Sequence, residues 1–106
     1  MNNRFISYLV LMLFSSLSWL HSQSVNLTSF QEIQALNVQE CSVVQVNASW
    51  NYANRVKIEK LADLCYVAEI DLSNKTIGAV VQKEWGIKVV PTIIILKEGT
   101  EVMRYE

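Results

Sequence analysis

The only proline in the chain, Pro91, separates two runs of β-branched residues and restricts what this part of the sequence can form. A proline has no backbone N–H to donate to a ladder, so it belongs at the first residue of a strand or at a sheet edge. Thr92 to Leu96 is then predicted to be a buried strand, apolar on both faces like central strands in covered sheets. Glu98-Gly99 is a turn, and Glu101 to Tyr105 returns as an alternating strand, which is the pattern of a β-hairpin. We expect a cis bond before Pro91, since only X-Pro bonds adopt cis at low cost.

A second informative stretch lies upstream, where Ser42 to Asn47 forms an uncharged run that leads into Ala48-Ser49-Trp50. This stretch and the later Trp85-Gly86-Ile87 turn before Pro91 together resemble the thioredoxin family. In that family a central strand enters the active-site loop through Ala-x-Trp. Further along, an aromatic-Gly-Ile turn precedes a cis-proline, an apolar strand and an antiparallel edge strand. The resemblance covers about Val25 to Glu106.

The resemblance implies an α/β, thioredoxin-like three-layer fold with a mixed central sheet and flanking helices. The family closes with a helix after the edge strand, whereas this sequence stops at Glu106. We therefore expect the final C-terminal helix to be missing. One sheet face would then be partly uncovered, which favours a fragment of a longer chain or a partner on that face.

The remaining elements are predicted in the thioredoxin order. Ser29 and Glu32 match a capping box, and apolar residues at helical spacing follow them. The predicted elements are a strand at Val25–Leu27, a helix from Phe30 to about Asn37, a strand at Cys41–Asn47, a helix from Asn51 or Tyr52 to about Leu64 with Val56, Leu61 and Leu64 inward, a strand at Cys65–Asp71, and a helix capped by Ser73-Asn74 with Ile77, Val80 and Val81 inward.

The loop after Trp50 departs from the family. Thioredoxins place Cys-x-x-Cys there, and this chain has Asn51-Tyr52-Ala53-Asn54. A thioredoxin works because its first cysteine lies at a helix N-terminus and becomes a thiolate near neutral pH, and the second cysteine resolves the mixed disulfide. The amides of Asn51 and Asn54 can neither become a thiolate nor resolve a mixed disulfide. In addition, Gln45 stands where the family usually buries an acid. Ordinary thioredoxin catalysis is excluded at this loop, where Asn51 is instead predicted to be a helix N-cap.

A binding role remains open for the same end of the sheet. In the thioredoxin family, the backbone beside the cis-proline pairs with an extended peptide of the partner. Val90, Pro91 and Thr92, together with Trp50 and Tyr52, could keep such a docking surface without the chemistry. Trp50 and Tyr52 are of the aromatic type favoured at interfaces. The alternative is that both rings only pack at the end of the sheet.

The N-terminal residues have the features of an export signal. Met1 to Arg4 is a short positive region, Phe5 to Leu20 is an apolar run, and Ser22-Gln23-Ser24 offers small residues for a peptidase. We expect residues 1–24 to be a signal peptide and residues 25–106 to be the thioredoxin-like domain, periplasmic or secreted. The alternative is an uncleaved membrane anchor, for which the apolar run is short.

Composition excludes several other classes of function. The net charge is −1 and no basic cluster is present, which argues against nucleic-acid binding. The only histidine, His21, lies in the predicted signal. The predicted domain therefore has two cysteines and no histidine as possible zinc ligands. It is not expected to hold a structural metal, and we predict no cofactor.

Cys41 and Cys65 are the only cysteines, and each begins one of two predicted neighbouring parallel strands. Their Cα atoms can therefore fall within the span that a disulfide needs. An exported chain with an even cysteine count is the setting in which such a bond persists. The alternative is two buried free thiols that pack as small hydrophobic groups.

The sequence thus favours an exported, redox-inactive thioredoxin-like domain that binds a protein or an extended peptide. Two alternatives remain open. One is a noncanonical thiol–disulfide oxidoreductase that uses Cys41 and Cys65. The other is a truncated gene product without independent function.

Overall fold

The computed structural model describes residues 24–106, apart from the side chain of Tyr52. The predicted signal peptide therefore lies outside the described residues, except for Ser24. Five strands form one mixed sheet in the order β1-β3-β2-β4-β5. Their bounds are β1 Val25–Leu27, β2 Ser42–Asn47, β3 Tyr66–Asp71, β4 Thr92–Lys97 and β5 Thr100–Tyr105.

The central strand of the sheet is β2, as its uncharged sequence predicts. All six of its residues are buried. It pairs in parallel with β3, where Val44 lies opposite Ala68, and antiparallel with β4, where the same Val44 lies opposite Ile94. β1 extends the parallel side and β5 the antiparallel side. The mixed sheet and flanking helices confirm the predicted α/β class.

Two short helices cover one face of the sheet. They are α1 at Phe30–Gln34, which continues as a 3₁₀ turn at Ala35–Val38, and α2 at Gly78–Glu84. Between them and the sheet lies the main core, in which every side chain is at most 5% exposed: Leu27, Leu36, Val44, Val46, Ala68, Ile70, Ile77, Val81, Ile87, Ile94 and Leu96. Among the described residues, no helix is long and apolar enough to span a bilayer.

The capping box at the start of α1 is confirmed, with the difference that the Glu32 carboxylate bonds to the backbone of Thr28, one residue before the N-cap Ser29. The Glu32 N–H donates to Ser29 Oγ over 3.2 Å, as predicted. The Glu32 carboxylate accepts from the Thr28 backbone N–H over 3.1 Å and from the Thr28 and Ser29 hydroxyls. These hydrogen bonds, led by the one from the Thr28 backbone, lower the pKa of Glu32 from its usual 4.5.

The Glu32 contacts predict a pH-dependent contribution to stability. Because the pKa of Glu32 is lower in the folded state, its carboxylate stabilises the fold above pH ~4.5, and this stabilisation is lost as pH falls through the folded pKa. Glu32→Gln should therefore reduce the difference in unfolding free energy between pH 7 and pH 3. Urea unfolding of both proteins at both pH values measures this. Glu40→Gln, at an exposed position, is the control, and an equal reduction in that variant would contradict the expectation.

The prediction of the inward-facing residues of α2 is only partly correct. Ile77 and Val81 are buried at 0% and 3% exposure, but Val80 is 44% exposed. The reason is that α2 begins only at Gly78, after a turn in which Asn74 Oδ1 accepts from the N–H groups of Thr76 and Ile77. Val80 therefore faces solvent.

The predicted long helix after Trp50 is wrong. The chain forms a 3₁₀ turn at Ser49–Asn54, leaves helical geometry at residues 55–58, and forms a second 3₁₀ turn at Glu59–Asp63. The residues predicted to face inward, Val56, Leu61 and Leu64, are 45%, 38% and 80% exposed. Ile58 is buried in their place and packs with Val43 and Val67 on the second sheet face.

The hairpin between β4 and β5 is confirmed. Glu98 and Gly99 have positive φ values of 52° and 83°. A Cβ on Gly99 would lie 1.9 Å from Asn37 Oδ1, so only glycine fits there. The pairing of β4 with β5 shifts register between Ile95 and Leu96, which leaves Val102 as an extra residue in the edge strand.

Candidate functional site

Asn51, the first residue after Trp50, points into the protein. It is 8% exposed. Its Oδ1 accepts from the Ala48 N–H over 2.6 Å, and its Nδ2 donates to Asn47 Oδ1 over 3.1 Å. The predicted N-cap role is therefore wrong, because the side chain bonds backward to the end of β2 rather than forward into a helix.

A buried polar network continues from Asn51 to Glu69, a residue that the sequence analysis missed. Asn47 Nδ2 donates to Glu69 Oε1 over 3.3 Å, and Arg55 Nη1 lies 3.4 Å from Glu69 Oε2. The Ser24 hydroxyl also donates to Glu69. Glu69 is 5% exposed, and the desolvation of its carboxylate is offset by these donors. The signal that could have revealed it is an acidic residue between the apolar residues Ala68 and Ile70 in the interior of β3.

Gln45, which the resemblance aligns with the buried acid of thioredoxins, has a clear structural role. It is fully buried. Its Nε2 donates to the Val56 carbonyl over 2.6 Å, and its Oε1 accepts from the Val56 N–H over 2.8 Å. Both backbone groups of Val56 are thus bonded to one side chain and cannot join a helical ladder. This contact explains why the helix predicted after Trp50 is interrupted at residues 55–58.

A groove lies beside the loop at the carboxyl end of β2, and we call it the Trp50 groove. Its walls enclose a cavity of about 420 Å³ lined by Trp50, Leu72, Ser73, Gln82, Ile87, Lys88, Val89 and Val90. Trp50 is 76% exposed and Val89 is 50% exposed. The alternative role for Trp50, packing at the end of the sheet, is therefore wrong. The side chain of Tyr52 is outside the described part of the chain.

Pro91 and Thr92 directly follow Val90, a residue of the groove wall, and Thr92 begins β4. The Val90–Pro91 peptide bond is cis, as predicted. Thr92 is fully buried, and its hydroxyl donates to the Val89 carbonyl over 2.6 Å. This bond fixes the chain direction just before the proline. The structure thus brings Trp50 and Val90 to one groove. The hydrogen bond from Thr92 holds the backbone of Val89, which also lines that groove.

Cys41 and Cys65 form a disulfide at the opposite end of the sheet. Their Cα atoms are 4.9 Å apart. Both residues are half-buried, and they form part of the wall of a cavity of about 650 Å³. The bridge joins the chain just before β2 to the chain just before β3, so it lies far along the sheet from Trp50.

Comparison with known proteins shows the fold of this chain. The thioredoxin of Trypanosoma brucei brucei superposes with a TM-score of 0.66 over 81% of this chain and 80% of that chain, at 17% identity. The fold is thioredoxin-like. The thioredoxin of Fasciola hepatica matches with a TM-score of 0.61 and 24% identity over 76% of this chain and 84% of that chain. The thioredoxin of Plasmodium falciparum matches with a TM-score of 0.64 and 18% identity over 76% of this chain and 83% of that chain.

Sequence comparisons add nothing to this likeness. No family model matches the chain, and no curated protein resembles it significantly in sequence. Within the thioredoxin-like fold, the loop that follows β2 carries amides, and the two cysteines lie at the other end of the sheet. The likeness therefore shows the architecture alone.

Proposed function

We propose that this protein is an exported thioredoxin-like domain that binds an extended segment of another protein in the Trp50 groove and catalyses no thiol chemistry at the adjacent loop. The observation that carries the proposal is an exposed tryptophan beside an apolar cavity at the start of β4. Export is supported by the positive, apolar and small-residue pattern of residues 1–24.

The proposed absence of thiol chemistry at the loop is supported by the groups that are present there. Asn51 and Asn54 stand at the two positions flanking Tyr52-Ala53, and an amide neither attacks a disulfide nor leaves from one. Asn51 is also committed to hydrogen bonds with Ala48 and Asn47. The carboxylate nearest to it in the network, Glu69, is held by Asn47 and Arg55. No described side chain of the loop offers a nucleophile to a substrate.

The Trp50 groove has the properties of a peptide-binding surface. Leu72, Ile87 and Val90 give it apolar walls, and Lys88 and Gln82 give it a polar rim. Small docking sites typically combine such an apolar lining with a few polar groups. Trp50 supplies a large aromatic surface of the kind enriched at binding hot spots. We therefore expect the ligand to be an extended chain that inserts one apolar side chain next to Trp50.

Peptide selection tests this proposal. Random decapeptides displayed on phage are selected on the immobilised protein, and the dissociation constants of the enriched peptides are measured by calorimetry. Trp50→Ala should weaken binding at least about tenfold, the effect of losing roughly 1.4 kcal/mol. The control is Val80→Ala, a 44% exposed position on α2. Failure to enrich any peptide, or equal binding by the Trp50→Ala protein, would contradict the proposal.

A second candidate function is thiol–disulfide exchange at Cys41 and Cys65. The observation that favours it is the half-buried bridge in the wall of an open cavity. In this reaction the thiolate of a dithiol substrate bonds to one cysteine sulfur, and the Cys41–Cys65 bond breaks. The second substrate thiol then closes a disulfide, which leaves the substrate oxidised and both cysteines reduced. Catalytic oxidation of a model dithiol peptide by the disulfide form, with glutathione disulfide as the terminal oxidant, would support this candidate over the first.

A further inference from the structure

The loop that carries Trp50 has little apolar support of its own. It is a 3₁₀ turn of 6 residues, Ser49–Asn54, although such turns have poor hydrogen-bond geometry and usually end after three or four residues. Among its described side chains, Asn51 alone is buried, while Trp50 is 76% exposed. A segment with few buried apolar contacts opens easily unless other contacts hold it. The conformation of this loop therefore depends on its polar contacts.

Glu69 contacts the chain on both sides of this loop. Its Oε1 accepts a hydrogen bond over 3.3 Å from Nδ2 of Asn47, the last residue of β2. Its Oε2 lies 3.4 Å from Nη1 of Arg55, the first residue after the loop. The Glu69 side chain is 5% exposed, so solvent screens its attraction to Arg55 less than it would at the surface. One side chain of β3 thus connects the entry of the loop with its exit.

Further hydrogen bonds hold the loop between these two ends. Asn51 Nδ2 donates to Asn47 Oδ1 over 3.1 Å, so the network that begins at the buried carboxylate reaches the middle of the loop. Asn51 Oδ1 accepts from the Ala48 N–H over 2.6 Å. The Ser49 N–H donates over 3.1 Å to Oγ of Ser73, a residue of the groove wall. The loop is therefore attached at its start, its middle and its end, and at one point directly to the Trp50 groove.

We propose that Glu69 and Asn51 are positioning residues of the Trp50 groove. They hold the loop in one conformation, so that the indole of Trp50 is in place before a ligand arrives. This inference rests on the proposed function, since it concerns the affinity of the same groove. Without the network the loop would leave this conformation for part of the time, and the apparent dissociation constant would rise as the competent fraction falls. A loop that is competent for about one-tenth of the time would bind about tenfold more weakly.

Nitrogen-15 relaxation of the full chain tests the positioning role without a ligand. In the unmutated protein the backbone order parameters of residues 49–54 should be about 0.85, the value of a rigid backbone, and in Glu69→Ala and Asn51→Ala they should fall below about 0.6. The control is Val44→Ala, which removes buried methyl groups on the sheet face covered by the helices and leaves the network intact. Order parameters that stayed the same in Glu69→Ala and Asn51→Ala, or that fell equally in Val44→Ala, would overturn the proposal.

Peptide affinity then tests whether the ordered loop matters for binding. The probe is a decapeptide enriched on the unmutated protein. Glu69→Ala and Asn51→Ala should each weaken its binding about tenfold, whereas Val44→Ala should bind as the unmutated protein does. A mobile loop with unchanged affinity would contradict the inference. If no peptide binds the unmutated protein, the proposed function fails, and the order parameters alone decide the positioning role. If circular dichroism shows that Glu69→Ala does not fold, Asn51→Ala decides both tests.

Discussion

Replacing Gln45 by leucine is expected to lower the free energy of unfolding by about 2 kcal/mol. Leucine has a similar volume but cannot bond to the Val56 peptide group, which receives one donor and one acceptor from Gln45. Each lost hydrogen bond contributes about 0.5–1.5 kcal/mol, and polar groups left unpaired add to the loss. The effect should therefore exceed that of an ordinary surface change, which usually stays within about 0.5 kcal/mol.

Urea unfolding and amide hydrogen exchange together test the role of Gln45. In Gln45→Leu the midpoint should fall, and the Val56 amide should lose its protection from exchange. Gln31→Leu, a change of the same residue type at an exposed position of α1, serves as the control. A Gln45→Leu protein with an unchanged midpoint and a protected Val56 amide would mean that the contact does not hold residues 55–58.

Removing the disulfide should have the larger effect. The double variant Cys41→Ala with Cys65→Ala is expected to lose about 3 kcal/mol of unfolding free energy, because the bridge joins residues 24 apart and restricts the unfolded chain. Within residues 24–106, the segment around Ile58 that ends at Cys65 covers Val43 and Val67 on the second sheet face, so loosening this segment would expose them. Residues 58–65 should lose exchange protection most.

Denaturant unfolding of the double variant and of the oxidised protein measures this contribution. The reduced protein provides a matched control without substitution, since it keeps both cysteine side chains. Reduced protein and double variant should unfold at similar denaturant concentrations, well below the oxidised protein. If the oxidised protein, the reduced protein and the double variant unfolded at the same denaturant concentration, the bridge would have no stabilising role.

The strands were predictable because their determinants are local. An uncharged run identified β2, a lone proline identified the start of β4, and Glu98-Gly99 identified the hairpin. These features act through backbone hydrogen bonding, φ restriction and turn geometry, all of which are encoded within a few residues. The observed bounds differ from the predicted ones by at most one residue at each strand end.

The segment after Trp50 was not predictable in the same way. Apolar residues at helical spacing suggested a helix to Leu64, but the backbone of Val56 bonds to a side chain from β2. That contact spans 11 positions and depends on the sheet being formed. Tertiary contacts of this kind override local propensity. The orientation of Asn51 is a second case, since its partners at Ala48 and Asn47 compete with the helix start that its residue type favours.

The candidate site was predictable in part. The resemblance to thioredoxins placed Trp50 and Val90 at one end of the sheet, and the structure brings them to one groove. Glu69 was missed because its importance comes from burial and from donors at Asn47, Arg55 and Ser24, which are distant in sequence.

The measurement that tests the account most directly is the reduction potential of the Cys41–Cys65 disulfide. The protein is equilibrated in a series of thiol–disulfide buffers, free thiols are alkylated, and intact mass reports the oxidised fraction. A domain that binds through the Trp50 groove and does no redox chemistry should keep the bridge until below about −300 mV, as structural disulfides do. A midpoint between about −120 and −270 mV, among working oxidoreductases, would contradict the account and identify the cysteine pair as the active centre.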